Sequence, residues 1–287
     1  MKLSVSSYSF SQHIRQGKMT QFDTIAKAKE LGFEAIEFTD IDGKEDYTLQ
    51  MENARKLRLE ADRFGMTINA YTIGGCLFQE TQESMDAEVE RLKRQIDITK
   101  ILGAPIMRHD VTYYLTKTGK GRSFDMQLPI IAENARKLTE YAASQGIQTC
   151  TENHGYIAQD SDRLERLFNA VAHDNYGLLV DMGNFLCVDE DPIHAVSRVA
   201  PYAFHVHIKD MRVRSTPVGS MSMTRGGNYL KGCVVGEGDV PVKQCLQIFH
   251  RIGYEGFVSL EYEGSEDCIA GITRSLANIR QMLSALV

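Results

Sequence analysis

Residues 142–152 read Ala142-Ala-Ser-Gln-Gly146-Ile-Gln-Thr-Cys-Thr-Glu152: a helix end, a glycine, a short strand-like run and a terminal carboxylate. Glycine adopts the left-handed conformation that closes a helix without a Cβ penalty, so Gly146 marks a helix-to-strand turn. The same punctuation recurs at Gly32, Gly65, Gly103 and Gly253. Strands are expected at about 3–8, 34–38, 66–73, 105–109, 147–152, 177–181, 203–208 and 257–262. Helices are expected at about 20–31, 46–64, 84–102, 126–145, 160–171, 191–199, 241–252 and 267–285. Their apolar stripes include Ala54, Leu57, Ala61 and Phe64; Leu128, Ile131, Ala135, Leu138 and Ala142; and Ile272, Leu276, Ile279 and Leu283. Eight strand–helix units in strict alternation predict an α/β fold, a single (β/α)8 barrel spanning residues 1–287. No GxGxxG follows the first strand, which weighs against dinucleotide binding.

Composition bounds the function. Hydrophobic residues make up 43% and charged residues 24%, as in a globular protein with a substantial core. The net charge of −6 and the absence of a Lys/Arg-rich run argue against nucleic acid as a partner. No segment approaches the roughly 18 apolar residues of a membrane span. The opening Met1–Phe10 reads as a strand, without the apolar core of a signal peptide. Six scattered cysteines with no CxxC pair fit a reducing compartment, so a cytoplasmic location is expected.

Three loops after predicted strands are long, at 74–83, 110–125 and 209–240. The last is expected to be an active-site loop acting as a lid, with Asp210 anchoring it. At its end, Asp239 is expected to cap the next helix and Pro241 to open it.

Four strands end in chemistry: Glu152, Asp181 in Leu178-Leu-Val-Asp181, His207 in Phe204-His-Val-His207, and Glu261 in Val258-Ser-Leu-Glu261. Side chains alternate along a strand, and in each case the apolar residues take the outward face, leaving the acid or imidazole inward. Strand C-termini converge on one mouth of a parallel barrel. Three carboxylates and an imidazole gathered there need a cation, because buried charge must be paired or metal-bound. Mixed carboxylate–imidazole ligation suits one divalent ion: Mn²⁺, Co²⁺, Zn²⁺ or Mg²⁺. Such an ion polarises a carbonyl or alkoxide oxygen, and Glu152 and Glu261 on either side of it are placed for proton transfer.

The motifs Thr151-Glu-Asn-His154, Val180-Asp-Met-Gly-Asn184, His205-Val-His-Ile-Lys-Asp210 and Leu260-Glu-Tyr-Glu-Gly264, with the opening Val5-Ser-Ser-Tyr-Ser-Phe10, resemble the xylose isomerase-like TIM barrels. The resemblance covers nearly the whole chain and is specific for fold and metal site, less so for substrate. It implies that Glu152, Asp181, His207 and Glu261 ligate one metal, often manganese in relatives, with Glu152 and Glu261 as an acid/base pair working through an enediolate. It further implies a substrate-contacting His154 and a substrate-binding Arg212. The expected activity is isomerisation or epimerisation of a small sugar, keto-sugar or sugar phosphate. A lyase, of the inosose dehydratase type or eliminating from a 3-keto-glycoside, is the alternative. Relatives are often dimers or tetramers. Where ketose 3-epimerases and apurinic-site endonucleases carry a His three residues after the strand-six Asp, this chain has Asn184. The endonucleases' Asp-x-His pair is also missing from Gly227-Asn-Tyr-Leu-Lys-Gly232, which argues against a trinuclear nuclease.

Other candidates complete the reading. His205, one layer deeper than His207, is expected to support rather than ligate. His109, ending strand four, and Tyr8, ending strand one, are candidate substrate contacts, as is Asn184. Lys209 is a candidate for neutralising an enediolate or alkoxide, although its assignment to the outward set of strand seven weighs against this. His13, Arg214 and Arg225 are weaker candidates.

Overall fold

The computed structural model describes residues 1–286. The barrel strands are β1 (Lys2–Ser6), β2 (Ala35–Thr39), β3 (Thr67–Ile73), β4 (Ile106–His109), β5 (Gln148–Glu152), β6 (Tyr176–Asp181), β7 (Ala203–Ile208) and β11 (Phe257–Leu260). They close in the order β1-β11-β7-β6-β5-β4-β3-β2, with parallel pairing throughout. The sequence expectation of a (β/α)8 barrel holds.

Helices α2 (Asp23–Leu31), α3 (Tyr47–Phe64), α4 (Gln82–Leu102), α5 (Phe124–Ser144), α6 (Ser161–Val171), α7 (Pro192–Val199), α8 (Val242–Arg251) and α9 (Cys268–Ser284) surround the barrel, and a short α1 (Ser11–Arg15) precedes them. The stripes read from the sequence are the buried faces: Ala54, Leu57, Ala61, Ile131, Ala135, Leu138, Ala142, Ile272 and Ile279 are fully buried. Side-chain caps fix several helix starts, with Asp46, Thr81, Ser123, Asp160 and Asp191 each accepting a first-turn N–H. The long loops follow barrel strands, so in a parallel barrel they emerge at the end where the strands finish.

Three expectations are corrected. The first strand stops at Ser6, whose hydroxyl caps a 3-10 turn over Ser7–Phe10, so Tyr8 stands on that turn. The 209–240 segment carries a three-stranded antiparallel sheet in the order β8-β10-β9, from β8 (Asp210–Arg214), β9 (Ser222–Met223) and β10 (Tyr229–Cys233). Asp239 does not cap α8: its carboxylate accepts the Val213 N–H at 2.7 Å, and Pro241 occupies the cap position without a side-chain bond.

Asp210 fastens this insert to the barrel. Its carboxylate accepts the backbone N–H groups of Met211 (2.8 Å), Gly236 (2.8 Å), Gly238 (2.9 Å) and Val240 (3.1 Å). One side chain thus gathers both ends of the insert. Asp210→Ala strands these donors and is expected to cost roughly 2–4 kcal/mol. Thermal melting checks the magnitude, and limited proteolysis is expected to show faster cleavage within 211–239; an unchanged cleavage pattern removes the anchoring role.

Candidate metal centre

Register brings the strand ends together. Asp181 and Ser259 are both paired to His207, and Glu152 pairs to Leu179. Glu261, one residue past β11, continues the ladder by donating its N–H to the Ile208 carbonyl at 2.9 Å. One ligand atom each from Glu152, Asp181, His207 and Glu261 lies within 4.8 Å of every other, and all four residues are buried. From His207 Nδ1 the distances are 3.7 Å to Asp181 Oδ2, 3.8 Å to Glu261 Oε2 and 3.9 Å to Glu152 Oε1. These separations are too long for hydrogen bonds. They suit atoms facing one another across an ion held at about 2.0–2.2 Å. His207 Nδ1 and Asp181 Oδ2 are also buried without a hydrogen-bond partner, and such atoms want a ligand. The donor set and its orphaned atoms fit a divalent cation.

The surroundings hold each donor in place. Asp181 Oδ1 accepts the N–H groups of Gly183 (2.8 Å) and Asn184 (2.9 Å), while Oδ2 accepts no hydrogen bond. The Asn184 amide donates to Glu152 Oε1 at 2.9 Å. Arg108 pairs through Nη2 with Glu152 Oε2 and through Nη1 with Asp110 Oδ2 at 3.2 Å. Asp110 in turn accepts the Tyr113 hydroxyl at 2.7 Å and lies 3.3 Å from His154 Nδ1. Lys209 Nζ pairs with Glu261 and lies 3.3 Å from Asp181 Oδ2 and 3.4 Å from Glu263 Oε1. Beneath the cluster, Glu37 meets His205 Nε2 at 2.6 Å and His207 Nε2 at 2.8 Å. A carboxylate on Nε2 fixes the ring and leaves Nδ1 turned toward the three carboxylates of the cluster.

Electrostatics follow from this crowding. Burial, with repulsion from Glu152 and Glu261 only partly offset by Lys209, pushes Asp181 up to about 7. Burial alone lowers His207, but Glu37 and Glu261 reverse this and carry it up to about 10. Burial likewise opposes the ionised forms of Glu37 and Lys209. The two histidines nevertheless hold Glu37 well below the carboxylate range, and Asp181 and Glu261 hold Lys209 well above the usual lysine value. The cluster takes up positive charge wherever it can.

The structure places the remaining candidates as follows. Asn184 and Lys209 reach the cluster. Lys209 corrects the outward assignment: it lies two residues past His207, so alternation returns it to the inward face, and it is buried. His154 stands at the rim. Tyr8 is partly exposed near Glu263 and Glu261, whose charge adds to burial in raising its phenol. His109 is corrected: it turns to the helix layer beside Tyr176, with Nδ1 3.0 Å from the Asp110 carbonyl oxygen. Arg212 is corrected too. It points away from the mouth, its Nε donating to the Glu237 carbonyl at 3.3 Å. Glu37, Arg108 and Asp110 were missed. Their signal was a charged residue inside or capping an apolar strand, as in Ala35-Ile-Glu-Phe38 and Ile106-Met-Arg-His-Asp110.

The xylose isomerase-like TIM barrel family model matches residues 25–284, and the chain belongs to that family of enzymes. The rhizopine catabolism protein MocC of Rhizobium meliloti is 28% identical over 226 residues, covering 72% of this chain and 66% of MocC. An inosose dehydratase of Clostridium botulinum (strain Alaska E43 / Type E3) is 24% identical over 152 residues, half of either chain. The chain thus spans between half and two thirds of these relatives. Among solved structures, D-psicose 3-epimerase with D-tagatose from Clostridium cellulolyticum H10 superposes with a TM-score of 0.76 at 15% identity, covering 99% of both chains. Two further solved structures of this fold contain magnesium and zinc. Among the described residues, no helix is long and apolar enough to cross a membrane.

Titration of metal-free protein with Mn²⁺, Mg²⁺ or Zn²⁺ is expected to give one ion per chain by calorimetry. At about 100 times Kd the ion stabilises the fold by about 2.7 kcal/mol, visible as a raised Tm. His207→Ala and Asp181→Asn are expected to lose that rise. Glu37→Gln is expected to weaken binding by about 10–100-fold with stoichiometry unchanged. Unaltered affinity there removes the orienting role of Glu37.

Proposed function

We propose that this protein is a divalent-metal-dependent isomerase or epimerase of a small keto-sugar. Glu152, Asp181, His207 and Glu261 hold the ion, and Glu152 and Glu261 move the proton. The observation that carries this is the convergence of their four ligand atoms within 4.8 Å, in a chain whose family acts on small carbohydrates. A bound divalent ion supplies Lewis acidity toward a carbonyl or alkoxide oxygen and orients the sugar.

The chain's own residues account for the rest. Glu152 and Glu261 belong to β5 and to the end of β11, with β6 and β7 between them, so they address a bound sugar from two sides. Arg108 and the Asn184 amide hold the Glu152 carboxylate in place beside the cavity, where a proton-transfer group would sit. Lys209 and His207 hold Glu261 below the ordinary carboxylate range against the effect of burial. The Lys209 ammonium beside it is placed to offset the negative charge of the enediolate. One glutamate removes the proton next to the carbonyl, giving an enediolate, and the other, entering protonated, gives its proton to the opposite side. Asn184 and Lys209 also line the cavity above and are placed to touch sugar oxygens.

A lyase is the second reading, supported by the inosose dehydratases among the relatives. The same enediolate expels a β-hydroxyl group when one is present.

Glu152→Gln and Glu261→Gln are each expected to lower turnover of a keto-sugar panel by about 10²–10⁴-fold. Retained activity in either variant sinks the two-base scheme. In D₂O, solvent deuterium appearing in product without loss of water marks the isomerase, and an enone marks the lyase.

A further inference from the structure

The mouth opens into a cavity of about 450 Å³. That lies in the range, roughly 300–1,000 Å³, used to bury drug-sized ligands. Its floor is polar, formed by Asn184, Lys209 and Glu263 beside the metal cluster. Its walls include two half-open aromatic rings, Tyr113 and Tyr156, facing Met211 and Leu230 of the insert sheet.

Tyr156 is held there at a conformational cost. Its φ is +67, left-handed backbone that a bulky side chain rarely adopts. Three hydrogen bonds maintain it. Its N–H donates to Gln159 Oε1 at 2.6 Å, its hydroxyl donates to the Met223 carbonyl at 3.0 Å, and its carbonyl accepts from Arg225 Nη1 at 3.0 Å. Backbone strain that the surroundings enforce this way gathers at ligand clamps. The ring is a fixed plane joining the β5 loop to the insert, and exposed aromatic faces stack on the apolar faces of rings.

The cavity is also poorly equipped for phosphate, which wants a free Arg or Lys or open helix N–H groups. Lys209 is engaged by Asp181, Glu261 and Glu263, and His154 lies beside Asp110. Arg225 pairs with Asp160 at 2.9 Å, and Arg212 points away from the mouth. The Gly183 and Asn184 N–H groups are taken by Asp181. Glu263 adds a carboxylate to the lining.

We propose that the cavity takes an uncharged glycoside whose sugar ring carries the keto group, that ring on Asn184 and Lys209 and its second ring against Tyr113 and Tyr156. The assignment rests on the keto-sugar chemistry proposed above and narrows its substrate class to unphosphorylated two-ring compounds.

The test is binding to the metal-loaded protein, using glucose, glucose 6-phosphate and phenyl β-glucopyranoside in calorimetry and saturation-transfer NMR. Phenyl glucoside is expected to bind about ten-fold tighter than glucose, with its aryl protons most strongly saturated. Tyr156→Ala is expected to bring its affinity down to that of glucose. Equal affinities for glucose and phenyl glucoside overturn the proposal, as does tighter binding of glucose 6-phosphate than of glucose; both are read on the unaltered protein. An aryl preference without any keto-sugar turnover supports the subsite and removes the chemistry. Turnover without an aryl preference retains the chemistry and removes the subsite.

Discussion

Negative charge buried without enough positive charge beside it is the constraint around which this molecule is organised. Glu37, Asp110, Glu152, Asp181 and Glu261 are all buried at one end of the barrel, and Arg108 and Lys209 are the arginine and lysine buried with them. Ions out of water are costly unless paired and hydrogen-bonded. The chain meets part of the demand with His207, shared between Glu37 below and the clustered carboxylates above. The proposed divalent ion would answer the remainder, at the strand ends where the four donor atoms converge. The strands supply rigid backbones, and their register aligns Asp181 and Ser259 with His207.

The sequence made the scaffold readable because each strand obeys a two-residue rhythm and each helix a longer one. Ile147, Thr149 and Thr151 against Gln148, Cys150 and Glu152 is a pattern that only one pleated orientation satisfies. The same rhythm pointed the four proposed ligands inward. It was less informative about their supports. Glu37 interrupts an otherwise apolar strand and has no local partner; His205 and His207 are about 170 residues away, and only barrel closure brings them near. Arg108 and His109 are neighbours on β4, and residue type alone does not tell which of them faces the cluster. Their faces are reversed: the guanidinium lies inside and the imidazole outside.

Loops defeated the rhythm for another reason. The 209–240 segment is rich in glycine, serine and threonine, which reads as irregular chain. Its pairing of Tyr229–Cys233 with Asp210–Arg214 depends on contacts across the intervening residues. Asp239 had the spacing of a helix cap but found an amide on β8, since tertiary partners compete with local ones. Once the segment is a sheet, Arg212 and Met211 must face opposite ways. That sends the guanidinium to Glu237 and the thioether into the cavity.

Lys209 and Asp210 are consecutive, one reaching into the carboxylate cluster and the other fastening the insert. Met211 and Leu230 on the cavity wall thus belong to a sheet whose anchor is one peptide bond from the ammonium. In the proposed reaction, contact at the wall and charge balance at the floor would share one stretch of backbone, Lys209–Met211.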